Sequence, residues 1–141
     1  MSETAARETA HRRLRASMAA GSLYDLVFAA INLSAPRLGS RLLEVPLPAE
    51  QVYLRLTGVF LLILALFYLL PVIHPGRYLG NVSVAIVGRC AGALFMAAAA
   101  LWFGQPPAFL ALAAGDILFA ALHAFFLVRA EGGNPLRHFL G

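Results

Sequence analysis

Lysine is absent from these 141 residues, and cysteine occurs once, at Cys90. A single thiol excludes an intrachain disulfide, a redox dithiol and a cysteine-built zinc site. Charge of either sign is scarce. Only 13% of the residues are charged, where an ordinary soluble domain carries about a quarter. Apolar residues make up 60% of the chain, and the mean hydropathy is +0.76. A chain this short leaves much of its surface exposed on folding, so it cannot hide that excess from water. Hydrocarbon must supply part of the solvent, which excludes a secreted domain, a disordered tail and a cytosolic enzyme.

The signatures of several chemistries are missing too. There is no H-E-x-x-H, no phosphate-cradling G-x-x-x-x-G-K and no G-x-S-x-G nucleophile elbow. A haem within a bundle needs well-placed axial ligands, and only His123 lies deep in an apolar run; His74 is near an end, and His11 and His138 are in tails. Ser22 and Ser34 have no evident base beside them. No catalytic residue, metal or cofactor is expected, and the reading leans away from an enzyme.

Long stretches almost free of charge are present instead. Ala16 to Pro36 carries only Asp25, Leu56 to Ile73 carries no charge, Asn81 to Gly104 carries only Arg89, and Gln105 to Val128 carries Asp116 and His123. A membrane helix needs about 20 such residues. Lipid also forces the backbone to satisfy itself, which favours helices, and the polar alternation of barrel strands is lacking. The spacing predicts an all-α, four-helix transmembrane bundle with spans near 17–35, 50–71, 80–103 and 107–129. Residues 1–16 form a basic N-terminal segment before it, and 130–141 a short tail after it.

Pro46 and Pro48 precede the second helix; Pro71 and Pro75-Gly76 kink or stop it; Gly104 with Pro106-Pro107 makes a tight third connection; Gly132-Gly133-Asn134-Pro135 ends the last helix. Tyr53, Tyr68, Tyr78 and Trp102 lie near predicted ends, as interfacial aromatics do. The loop Arg37 to Ala49 is too short to span and should lie along the interface or cap the bundle. Asp25 interrupts the first run, and Ala35-Pro36-Arg37 is a poor cleavage site, so the first helix reads as a span and not a signal peptide.

All eleven basic residues are arginine. With the N-terminus inside, Arg7, Arg12, Arg13, Arg15, Arg77, Arg129 and Arg137 face the cytoplasm, and only Arg37 and Arg41 face outward. That bias predicts both termini cytoplasmic. The basic cluster precedes an apolar run and is not interleaved with polar or aromatic readers, which argues against nucleic acid. The segment Ser2 to Arg15 is helix-compatible with almost no apolar stripe. It reads as a solvated extension of the first helix held near anionic headgroups, or as an arm that docks a partner.

Ionisable groups within a bilayer are costly and turn inward to pair or to meet water. Asp25, Ala29 and Asn32 share one helix face, as do Asp116, Ala120 and His123. Counting about 1.5 Å per residue from the predicted cytoplasmic ends, Asp25, Arg89 and His123 fall in one layer and Asn32, Asp116 and Arg55 in a second. Two ion pairs, Asp25–Arg89 and Asp116–Arg55, follow from that count. The six residues are a buried polar network or candidate ligand site. They either lock helix register, line a wetted pocket for a small polar or quinone-like headgroup, or relay protons through His123. Gly88-Arg89-Cys90-Ala91-Gly92 holds a G-x-x-x-G that suits close helix packing, within the bundle in preference to between copies. Cys90 reads as packed.

Arg55-x-x-Gly58 opening a Leu/Phe-rich span, Gly88-Arg89-x-x-Gly92 and Gly115-Asp116 together resemble the DoxX-like group of small bacterial four-span membrane proteins, over roughly residues 50–129. The resemblance implies a compact four-helix bundle in a bacterial inner membrane. Some members are associated with membrane oxidoreductase systems, and many have no assigned activity. The chain therefore reads first as a non-enzymatic accessory or interaction subunit, with a membrane-protein partner or a second copy alongside. Its alternative is a binder or transporter of protons or a small lipophilic ligand. A cavity reaching Asp25 or Asp116 favours the second reading, and direct ion pairs in a dry interior favour the first.

Overall fold

The first run of small and polar residues extends further toward the N-terminus than its hydropathy suggests. The computed structural model describes residues 3–132, with side chains from residue 5 onward, and α1 runs without a break from Glu3 to Ser34. Ala10, Leu14, Met18, Ala29 and the polar Ser17, Ser22, Asp25 and Asn32 are buried along it. These positions recur every three or four residues, so they form one continuous helix face. Helix α1 takes in the basic segment, and one expectation changes here: that segment does carry buried positions, Ala10 and Leu14. Leu14 and Met18 sit in a core cluster with Tyr68, Val82, Ile86 and Leu127. That stripe was hidden because small and long residues alternate with arginines on the opposite, exposed side.

A short α2 (Pro36–Leu42) follows, with proline at its first position, and turns back through Glu44 to α3 (Val52–Ile73). Helix α4 (Leu79–Trp102) and α5 (Ala108–Glu131) complete the described chain. Gly104 takes φ +66° between them, a conformation that a side chain would strain. The connection after Gly132, from Gly133 to Pro135, and the tail with Arg137 and His138 lie outside the described residues. Among those described, all regular structure is helical, and four helices are long and apolar enough to cross a membrane. This is the architecture of a multi-pass membrane bundle.

Helix α1 packs mainly on α3 and also on α5, while α4 packs mainly on α5 and only lightly on α3. Helices α1 and α3 approach closely at Gly58, where an added Cβ would lie 2.9 Å from Leu33 Cγ and 3.2 Å from the Ala29 carbonyl. Small and polar residues face inward; Leu23, Phe60, Ile63, Leu94, Phe95 and Ile117 face out. In water each such side chain would forgo about 1.5–3 kcal/mol of burial; in hydrocarbon it forgoes none. Tyr53 and Trp102 are exposed at the α2 end, the placement of interfacial aromatics. Tyr68 is not with them. It is 3% exposed and belongs to the core.

Pro71 does not stop α3, which continues to Ile73. Proline lacks the N–H that would bond the carbonyl four residues back, so Phe67 O is left open. The Asn81 side chain on α4 donates to that oxygen at 3.3 Å. One turn on, Arg15 Nε donates to Val72 O at 2.8 Å, tying α1 to the last turn of α3.

Candidate functional site

Arg89 lies in the middle of α4 with its side chain 3% exposed. Its Nη1 donates to Asp116 Oδ1 on α5 at 2.6 Å. Its Nη2 donates to Asp25 Oδ2 on α1 at 2.9 Å and to the Gly21 carbonyl at 2.9 Å. The rings of Phe119, Tyr68 and Tyr24 surround the guanidinium, with centroids 4.8, 5.4 and 5.6 Å from Cζ. A guanidinium is suited to this place because its fork serves two carboxylates and its flat faces tolerate aromatic neighbours. Gly21 makes the approach possible: a Cβ there would sit 3.1 Å from both Arg89 Nη2 and His123 Nε2.

The two-layer arrangement is thereby corrected. Asp25 pairs with Arg89 as expected, but Asp116 pairs with the same arginine and not with Arg55. Arg55 is exposed in the second turn of α3 and donates to the Leu33 carbonyl at 3.0 Å. Counting depth by Cα position places backbones, whereas a long forked side chain reaches across a layer. The network is one triad of one guanidinium and two carboxyl groups.

His123 is fully buried on α5. Its Nδ1 lies 3.2 Å from Ser17 Oγ, and that hydroxyl donates to the Leu14 carbonyl at 2.9 Å. With the serine hydrogen so used, Nδ1 carries the proton and donates, leaving the lone pair on Nε2, which has no hydrogen-bond partner among the described residues. No hydrogen bond or ion pair joins His123 to Asp25 or Asp116 among the described residues. Of the two glycines expected at a packing face, Gly92 lies close against α5, while Gly88 is exposed with room for a side chain. A Cβ at Gly88 would contact Tyr68 Oη at 3.6 Å, and one at Gly92 would crowd Asp116 Oδ2 at 3.1 Å. Cys90 turns out exposed, on the other side of α4.

Beyond the triad, toward α2, the helices line a partly open cavity of about 240 Å³. Tyr24, Asp25, Phe28 and Asn32 of α1 form one wall. Leu54, Thr57 and Leu61 of α3 face them, with Leu43 and Met96 beside. Phe109, Leu112 and Asp116 of α5 complete the lining, which is mostly apolar. Asn32 is 8% exposed, and its side chain makes no hydrogen bond to any described residue. Each aspartate uses one oxygen on Arg89; Asp25 Oδ1 and Asp116 Oδ2 receive no hydrogen bond from described residues. The lining thus brings together three of the six expected polar residues: Asp25, Asn32 and Asp116. Arg89 and His123 lie behind it, and Arg55 is elsewhere.

Sequence reasoning missed Gly21, Ser17 and the aromatic cage. Extending the Asp25–Ala29–Asn32 face backward in steps of four gives Gly21 and Ser17, so that signal was present. The cage was not legible, because Tyr24, Tyr68 and Phe119 come from three helices. Comparison with family models, curated proteins and solved structures returns no match.

Proposed function

We propose that this chain is a multi-pass protein of a bacterial inner membrane, with both termini cytoplasmic, that binds a small amphipathic molecule inside its bundle. The arginine bias supports the orientation, and the resemblance to DoxX-like proteins supports the bacterial setting. The observation that carries the binding reading is the cavity beside the triad. Its walls are mostly apolar, yet Asp25, Asp116 and the buried Asn32, whose amide makes no hydrogen bond to a described residue, are among its lining residues. Buried polar groups are normally bonded, and one left open inside a cavity calls for a partner. Pockets of this composition, apolar with a few converging polar groups, are the usual form of small-molecule sites.

The direct Arg89 ion pairs favour a second reading, an accessory subunit whose triad only fixes helix register. That reading accounts for Arg89 but not for the open Asn32. Filling the cavity separates the two. In mass spectra of organic extracts from purified protein, the wild type should release a small molecule that Leu112→Trp has lost, with both proteins folded. Identical extracts from both would leave the register-locking subunit as the better account.

A further inference from the structure

Counting charges in the triad leaves a remainder. Asp25 and Asp116 contribute two carboxylates and Arg89 one guanidinium, and among the described residues no other cation bonds to either aspartate. With both carboxylates ionised, the buried group carries one net negative charge, which a low-dielectric interior requires a proton or a bound cation to balance. The imbalance also has a direction. Both aspartates line the cavity while Arg89, though central, does not. A molecule in the cavity therefore has the two aspartates, and not the guanidinium, among its neighbours. Tyr24, Phe28 and Phe109 add rings to the same walls, and aromatic faces attract cations.

Asn32 supplies the independent sign of a ligand. It is more than nine-tenths buried, lines the cavity and has an unused amide. It stands two turns along α1 from Asp25, about 10 Å at 1.5 Å per residue. We infer that the cavity takes an elongated organic cation: an ammonium head against Asp25 and Asp116, an apolar or aromatic body, and a hydrogen-bonding group at the far end for Asn32. This inference rests on the binding reading above and specifies its ligand class.

Tyramine and its neutral counterpart tyrosol differ at one end only, ammonium against hydroxyl, and both dissolve in water. Titration calorimetry on the full-length protein in nanodiscs should show tyramine binding at least about tenfold more tightly than tyrosol, a difference of about 1.4 kcal/mol. Asp116→Asn leaves Asp25–Arg89 as a balanced pair, so this variant should fold, keep tyrosol and lose the preference for tyramine. Asn32→Leu should weaken both ligands to a similar extent. Equal affinity for the two ligands in the wild type would overturn the charge inference and leave the pocket standing. Saturation by neither at millimolar concentration would overturn the pocket, and the inference with it. Retention of the tyramine preference in both Asp116→Asn and Asp25→Asn would show that the triad does not select the charge.

Discussion

Two arginines of the membrane segments, Arg55 and Arg89, look alike in the sequence, each in an apolar run with a glycine three residues on. Their surroundings separate them. Arg55 is exposed near the start of α3 and holds a single carbonyl, whereas Arg89 is buried and holds two carboxylates and a carbonyl. Removing one partner from a buried ion pair leaves an uncompensated charge and costs about 3–5 kcal/mol, and here two carboxylates would be abandoned at once. Arg89→Ala should therefore sharply reduce folded protein in detergent extracts, read by size-exclusion fluorescence of a tagged chain. Arg55→Ala loses one hydrogen bond, about 1 kcal/mol, and should accumulate near the wild-type level. Equal levels of the two variants would contradict the geometry of the triad.

Within helices, the exchange between Pro71 and Asn81 shows how one element repairs another. The proline opens Phe67 O in α3, and the Asn81 amide on α4 closes it. Asn81→Ala should then destabilise the protein by about 0.5–1 kcal/mol, the usual range for a polar contact between membrane helices. In a Pro71→Ala background the backbone bond is restored, and the same substitution should cost little. Thermal melts of the four proteins give the cycle, and a coupling energy near zero would mean the two residues act separately. Helix α1 teaches a related point. The inward positions Ser17, Gly21, Asp25, Ala29 and Asn32 are small or polar, while Leu23 and Val27 face out. The helix period was legible, but the face with the greater hydrophobicity is the lipid face.

At the scale of the whole molecule, four spans return the chain to the side from which it began. The α3–α4 turn at Gly76 and the α4–α5 turn at Gly104 consequently lie on opposite membrane faces. With the N-terminus cytoplasmic, an impermeant maleimide applied to intact bacteria should label Gln105→Cys, in the same turn as Gly104, and spare Gly76→Cys, in a Cys90→Ser background. Lysis should expose both. The reverse pattern would invert the proposed orientation and leave the bundle, the triad and the cavity as they are.

Composition and periodicity alone determined that hydrocarbon surrounds this chain and that four helices cross it, because apolar runs of that length have no other stable solvent. They also marked Asp25, Asn32, Arg55, Arg89, Asp116 and His123 as inward-facing, since an unpaired charge or amide cannot face acyl chains cheaply, and of these Arg55 is exposed. Only the tertiary structure decided who meets whom. Arg89 takes both aspartates because Gly21 and Gly92 leave room for its fork and for the Asp116 carboxylate, and Arg55 is left at the rim. The cavity was decided there too. It depends on how residues from four helices fail to fill one volume, and no single stretch of sequence carries that information.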